Sequence, residues 1–355
     1  MKPTKTLHDL GQSLWLDNIT RALMNSGTLK HYIDALSVTG LTSNPTIFNH
    51  AIKNSTDYDR QISDLASPAR TAEDLFADLA LADLTRAAEL FRPIFERTNG
   101  VDGWVSLEVS PRLAHDTDGT IAAARSLHQR GSVPNLFIKI PGTIEAATFA
   151  GVPVNVTLLF SREQYLAAAY ACLRGMERRI EAGLNPAVAS VASLFVSCWD
   201  VAVAGKIPAE LTNQLGIAIA KRTYRAYREL LDSARMQRAL NAGAPAQRLL
   251  WASTGTKDPN ASDILYVKAL AAPFTVNTMP EGTLKAFADH GEVGEVLPPD
   301  GGDCEMVLAA FAKAGVDADG LAAQLQNEGT SSFVKSWNDL MAGINSKSTV
   351  MRKAG

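Results

Sequence analysis

Eight short runs rich in apolar and β-branched residues recur along this chain, and longer amphipathic stretches separate most of them. The runs are SLWLDN (13–18), ALSVTGLT (35–42), WVSLEVS (104–110), LFIKIPG (136–142), PVNVTLLF (153–160), AVASVASLFVS (187–197), RLLWAST (248–254) and PFTVNTM (273–279). Strand and helix signals in alternation are the mark of βα units around a parallel sheet.

The intervening stretches 72–98, 118–131, 161–183 and 210–236 carry apolar residues three and four apart with charges opposite, as a helix packed on a sheet requires. Thr71, Asp118 and Ser161 stand where capping residues would start three of them. Eight units without a break in composition predict an α/β chain forming a single (β/α)8 TIM barrel, one domain over 1–355, rather than an open doubly wound sheet. Two pieces exceed the eight units. Residues 53–97 are longer than one connecting helix needs, and 301–344 read as two or three helices entered through the LPPDGGD turn at 297–303. Extra helices in the N-terminal half and a helical extension over 301–355 packed on the barrel are therefore expected.

Composition removes several function classes. Net charge is −3, from 34 basic and 37 acidic side chains, and no long basic block is present, so nucleic acid is not an expected partner. No apolar run of about 18 residues occurs, and His8 and Asp9 interrupt the start, so neither a membrane span nor a secretory leader is expected. Cys172, Cys198 and Cys304 are odd in number and far apart, which fits free thiols in a reducing cytoplasm.

In a barrel of this kind the reactive groups lie at the C-terminal strand ends. That filter retains Asp17, Asn18, Thr42 to Asn44, Glu108, Ser110, Lys139, Asn155, Thr157, Ser193 and Ser253 to Lys257, and discards nearly every other lysine. Lys139 sits between Phe137, Ile138 and Ile140. Burial there would disfavour its ammonium form and free a lone pair that can attack a carbonyl. A lone strand lysine is more often a salt-bridge partner or one that snorkels to solvent. Its company changes the reading. Cleaving a carbon–carbon bond through a Schiff base needs groups to assist dehydration of the carbinolamine and to take a hydroxyl proton. Glu108 and Asp17 are acids in otherwise apolar strands, and two acids, a lysine and two amides at strand ends form a set that a core has no structural reason to assemble.

Other chemistries lack their patterns. The six histidines show no HxxxH or HxH spacing, so no metal is expected, and no nucleotide-binding glycine fingerprint or Ser-His-Asp set can be nominated.

Six ordered blocks, SLWLDNITR (13–21), GLTSNPTIFNHAI (40–52), VSLEVSPRLAHD (105–116), FIKIPGT (137–143), NVTLLFS (155–161) and LLWASTGTKDP (249–259), resemble transaldolase, in the long form of its actinobacterial and cyanobacterial branch. The resemblance implies a class I aldolase-type barrel. It would move a dihydroxyacetone unit from sedoheptulose 7-phosphate or fructose 6-phosphate to an aldose phosphate, as monomer or homodimer and without a cofactor, because the protonated imine is the electron sink. It implies Lys139 as the Schiff-base lysine, Asp17 as acid/base on the hydroxyl proton, and Glu108 acting through a water that Thr157 orients. Asn44 and Asn155 would hold donor hydroxyls, Ser193 would line the site, and Lys257 would bind phosphate.

One position departs. Where the family pattern after the sixth strand places a phosphate-binding arginine, SLFVSC puts Cys198. A thiol offers neither the charge nor the planar fork of a guanidinium. Three expectations follow: a transaldolase with compensation by another arginine such as Arg112 or Arg162, an aldolase or transaldolase for a different or non-phosphorylated sugar, or a non-catalytic binding protein on an inherited barrel. For Cys198 itself a buried inert thiol is expected over a redox switch.

Overall fold

The computed structural model describes residues 2–67 and 69–354. Eight parallel strands close into a barrel in chain order: β1 (Ser13–Asp17), β2 (Val38–Thr42), β3 (Val105–Glu108), β4 (Leu136–Ile140), β5 (Val154–Leu159), β6 (Ser190–Phe195), β7 (Arg248–Ala252) and β8 (Val276–Met279), with β8 pairing back to β1. Each lies inside the predicted run and is shorter, because the outer residues turn into helix or loop once the ladder ends. Every strand from β2 to β5 is buried along its whole length, which is why the strands read as near-continuous apolar runs.

Period-two alternation divides each strand between two cores. Outward residues such as Leu14, Leu16, Leu107, Ile138 and Ile140 pack with the surrounding helices. Inside, Trp15, Trp104, Phe137, Val191, Leu250 and Val276 fill the N-terminal end of the barrel, with Trp104 and Phe137 stacked at 4.0 Å between ring centroids. Gly40 is required at this plug: a Cβ there would lie 2.7 Å from the Trp104 carbonyl oxygen and 2.7 Å from the Trp15 indole nitrogen. This apolar plug fills the N-terminal end, where Ser13, Arg248 and Asp102 form a separate polar cluster with Trp15 Nε1, and the polar strand residues singled out from sequence lie above it in the C-terminal half.

The extra N-terminal-half helices are Pro45–Asn54, Asp59–Leu65 and Ala72–Arg97, all between β2 and β3. Thr71 caps the last of these in a reciprocal capping box with Asp74, and Ser161 caps Arg162–Glu181. Two expectations need correction. The cap of helix Thr117–Gly131 is Asp116, whose carboxylate accepts from Gly119 N, and not Asp118, which lies in the first turn. The stretch 210–236 is not one helix: a 3-10 turn (Ala209–Leu211) precedes Leu215–Asp232, and Ser233 then leaves the helical region and caps a separate helix, Ala234–Asn241. The tail forms two helices, Cys304–Lys313 and Ala318–Ala354. Among the described residues no helix is long and apolar enough to cross a membrane.

Candidate active site

The register of the barrel brings the strand-end residues together. Glu108 is the β3 partner of Lys139, and Lys139 is in turn the β4 partner of Asn155. Lys139 Nζ lies 3.6 Å from Glu108 Oε2, with both side chains buried. That is ion-pair contact, beyond hydrogen-bond reach. Glu108 Oε2 and, on β5, Thr157 Oγ1 are buried without a hydrogen-bond partner among the described residues.

Asp17 ends β1 opposite Thr42, whose hydroxyl donates to Asp17 Oδ1 at 2.7 Å and lies 2.7 Å from the Thr278 hydroxyl of β8. On the other side, Ser193 of β6 donates to Asn155 Oδ1 at 2.7 Å, while Asn155 Nδ2 donates to Ser106 Oγ at 3.2 Å. The amide of Asn155 is thus held from β3 and β6 at once. Asn44, two residues past β2, accepts from Ile47 N at 3.0 Å and caps helix Pro45–Asn54.

The acids are in an unusual state. Burial drives the Glu108 carboxyl up to about 7, against the opposing pull of the Lys139 charge and helped by the nearby Asp17. Burial also raises Asp17, against the charge of Lys139, the Thr42 hydrogen bond and the more distant charge of Lys257. Structural acids elsewhere in the fold are satisfied differently. Asp83 meets the Arg21 guanidinium and the Tyr58 hydroxyl at 2.8 Å each, and Asp102 accepts from Trp15 Nε1 at 2.8 Å. Asp200 accepts from Leu215 N at 2.9 Å and the Tyr266 hydroxyl at 2.8 Å. Glu108 has no such set, which separates it from the acids that hold the core.

Cys198 lies in helix Ser197–Val203 just past β6, half-buried, 3.6 Å from Ser253 Oγ and packed with the apolar group that includes Phe160, Phe195 and Phe333. Burial raises its thiol pKa, opposed by Ser253 and by the charge of Lys257. Lys257 is exposed and makes no ion pair among the described residues. Arg112 and Arg162 are engaged elsewhere. Arg112 donates to Asn338 Oδ1 at 2.6 Å and approaches Glu73, and Arg162 Nε donates to Glu163 Oε1 at 2.8 Å.

Three neighbours were not singled out from sequence. Ser106 was accessible to the same reasoning, being two residues before Glu108 and so on the same inward face. Thr278 stands likewise near the end of the eighth run. Phe333 gave no signal: its ring centroid is 5.6 Å from Lys139 Nζ, yet it comes from the C-terminal helix, whose path over the barrel has no trace in local pattern.

Fold and site together define a (β/α)8-barrel protein whose polar centre, a buried lysine among carboxylates and amides, lies at the C-terminal strand ends. A family model described as Transaldolase/Fructose-6-phosphate aldolase matches residues 14–344. A protein named transaldolase from Saccharopolyspora erythraea is 43% identical over 353 residues, covering 96% of each chain. One from Thermobifida fusca is 44% identical over 354 residues with the same coverage, and one from Arthrobacter sp. is 41% identical over 367 residues, covering 99% of each. The chain belongs to the transaldolase/fructose-6-phosphate aldolase family.

Proposed function

We propose that this protein is a transaldolase, moving a dihydroxyacetone unit from a ketose phosphate to an aldose phosphate through a Schiff base on Lys139. The observation that carries the reading is the placement of Lys139 Nζ, buried and 3.6 Å from a carboxyl oxygen that has no hydrogen-bond partner among the described residues.

The Lys139 amine attacks the donor ketone, and the resulting carbinolamine must lose its hydroxyl as water. Glu108, with its carboxyl near 7, holds a proton to give at neutral pH, and the unpaired Oε2 and Thr157 Oγ1 on the strands flanking β4 are suited to order a relaying water. Asp17 then takes the proton of the hydroxyl whose carbon becomes the aldehyde as the carbon–carbon bond breaks. Its raised pKa and its Thr42 hydrogen bond suit a base held in one orientation. The iminium accepts the electron pair, so the cycle needs no cofactor. In this reading Asn155 and the amide nitrogen of the capping Asn44 hold donor hydroxyls, Ser193 orients Asn155 through its hydrogen bond, and Lys257 supplies positive charge for phosphate. We read the chain as one catalytic domain with residues 301–355 as its extension, a cytoplasmic monomer or homodimer.

A second reading is favoured by Cys198. With apolar neighbours around the thiol and Arg112 and Arg162 paired elsewhere, Lys257 faces phosphate without a second cation from these positions. A donor lacking phosphate, or carrying a different terminus, fits such a pocket.

Borohydride trapping with fructose 6-phosphate, read by intact mass, tests the chemistry. One covalent adduct is expected in the native chain and none in Lys139→Ala. No adduct with any ketose tried, or an adduct that survives the substitution, would sink the mechanism and leave the binding-protein reading.

A further inference from the structure

The segment over Lys139 comes from the far end of the chain. Helix Ala318–Ala354 docks at one side of the barrel mouth on the end of β5, where Gln326 Nε2 donates to the Leu158 carbonyl at 2.9 Å and a Cβ at Gly329 would lie 3.0 Å from Leu158. It docks at the other side near the ends of β2 and β3. There Ser336 meets Thr46 at 2.9 Å, Asn338 accepts from Arg112, and Trp337 packs edge-on against Phe76 and donates to Glu73. Between residues 329 and 337 the helix bridges about 12 Å at 1.5 Å per residue, and Phe333 hangs midway.

The apolar stripe of this helix explains the placement. Trp337, Leu340, Met341 and Ile344 are buried against the core, whereas Phe333, one turn earlier on the same stripe, is only half-buried and presents its ring 5.6 Å from Lys139 Nζ. A residue serving only to dock the helix would be covered like its neighbours. Phe333 instead extends the apolar wall of Phe160 and Phe195 over the reacting amine.

We propose that Phe333 is a lid residue that sets how the three-carbon intermediate on Lys139 partitions between transfer to an aldehyde and release to water. The inference rests on the Schiff-base reading above. Donor cleavage leaves an enamine on the lysine nitrogen. In transfer, the nucleophilic enamine carbon bonds to the acceptor carbonyl carbon, the acceptor oxygen takes a proton, and water then adds to the new iminium so that the carbon–nitrogen bond breaks and frees the lengthened ketose phosphate and the Lys139 amine. In release, the same carbon takes a proton from solvent, water adds to the resulting iminium, the carbon–nitrogen bond breaks, and Lys139 leaves as the free amine with dihydroxyacetone. Water is the only co-reactant and nothing is oxidised. An aromatic ring above the nitrogen keeps water from that carbon while the planar acceptor slides beneath it.

The test compares the full-length native chain with Phe333→Ala and Phe333→Leu. Fructose 6-phosphate is the donor, with and without an aldotetrose phosphate, and dihydroxyacetone and sedoheptulose 7-phosphate are measured by mass. Phe333→Ala should raise the ratio of release to transfer about tenfold, with the borohydride-trapping rate within about threefold of native, because the lid acts after imine formation. Phe333→Leu should lie between, and it carries the comparison if Phe333→Ala melts too low to assay. A ratio unchanged in a folded, imine-forming variant overturns the lid and leaves the Schiff-base reading standing. A native chain that traps no ketose overturns both.

Discussion

Lys139 Nζ stands 3.6 Å from Glu108 Oε2, and no hydrogen bond to that oxygen exists among the described residues. A salt bridge built for stability at such depth would need its remaining lone pairs satisfied, since desolvating the two charges costs several kcal/mol. Glu108→Gln keeps the shape and removes the proton. Loss of a positioned general acid should slow imine trapping by about 10²-fold or more. Stopped-flow trapping with fructose 6-phosphate measures it, and a rate within threefold of native would assign Glu108 to structure alone.

The same substitution has a signature in stability. The Glu108 carboxyl is raised from 4.5 to about 7 on folding, so between those values the native state binds more protons than the unfolded chain. Stability from this group is then full below about 4.5 and falls as pH rises through about 7. The loss across that window is on the order of 3 kcal/mol. Asp17, also raised, adds to the same slope, while surface carboxylates lowered by their partners, such as Glu145 beside Arg174, act oppositely. The difference between native and Glu108→Gln isolates that contribution: the urea midpoint of the native chain should fall relative to that of Glu108→Gln as pH rises from about 4.5, and the difference should level off above about 8. Parallel curves would contradict the raised carboxyl.

Much of this centre was legible in the sequence, for a reason particular to parallel barrels. Strands buried on both faces are short apolar runs, so a lysine or acid inside one stands out, and the two-residue period places Lys139, Glu108 and Asp17 inward as soon as the strands are located. What stayed hidden depends on long-range packing. The stripe through Trp337, Leu340 and Ile344 announces an amphipathic helix, but which surface it covers is decided by contacts with Leu158, Thr46 and Arg112 that lie far away in the chain. Arg112 reads as an available cation until the helix that occupies it is in place. At Asp116 and Asp118 two acids fit one capping pattern, and only the backbone angles choose between them.

Ser193 and Asn155 give a separable test of donor recognition. The Ser193 hydroxyl holds Asn155 Oδ1 at 2.7 Å, which fixes which way the amide nitrogen points. Ser193→Ala leaves that oxygen buried without its partner, at a cost of about 1 to 3 kcal/mol in stability. The freed amide can turn, so the Michaelis constant for the donor should rise several-fold with kcat changed less, and Ser193→Thr should restore most of it. Equal losses in kcat and in kcat/KM would place Ser193 in the transition state instead.

Cys198 decides how the substrate's far end is held. Its thiol is half-buried beside Ser253 and packed against the apolar cluster that includes Phe160, with Lys257 the nearby charge. If the pocket takes a phosphate with too few cations, Cys198→Arg supplies a charged planar fork worth about 1.5 to 3 kcal/mol. The Michaelis constant for fructose 6-phosphate should then fall roughly ten- to a hundredfold. The guanidinium must displace an apolar contact to reach solvent and ligand, so the gain belongs at the lower end of that range, and it should shrink as salt is raised because the new contact is electrostatic. Unphosphorylated fructose serves as the control and should be unaffected. A value for fructose 6-phosphate that stays level or rises, with fructose unchanged, would mean that the apolar wall around Cys198 is built for a donor end without phosphate.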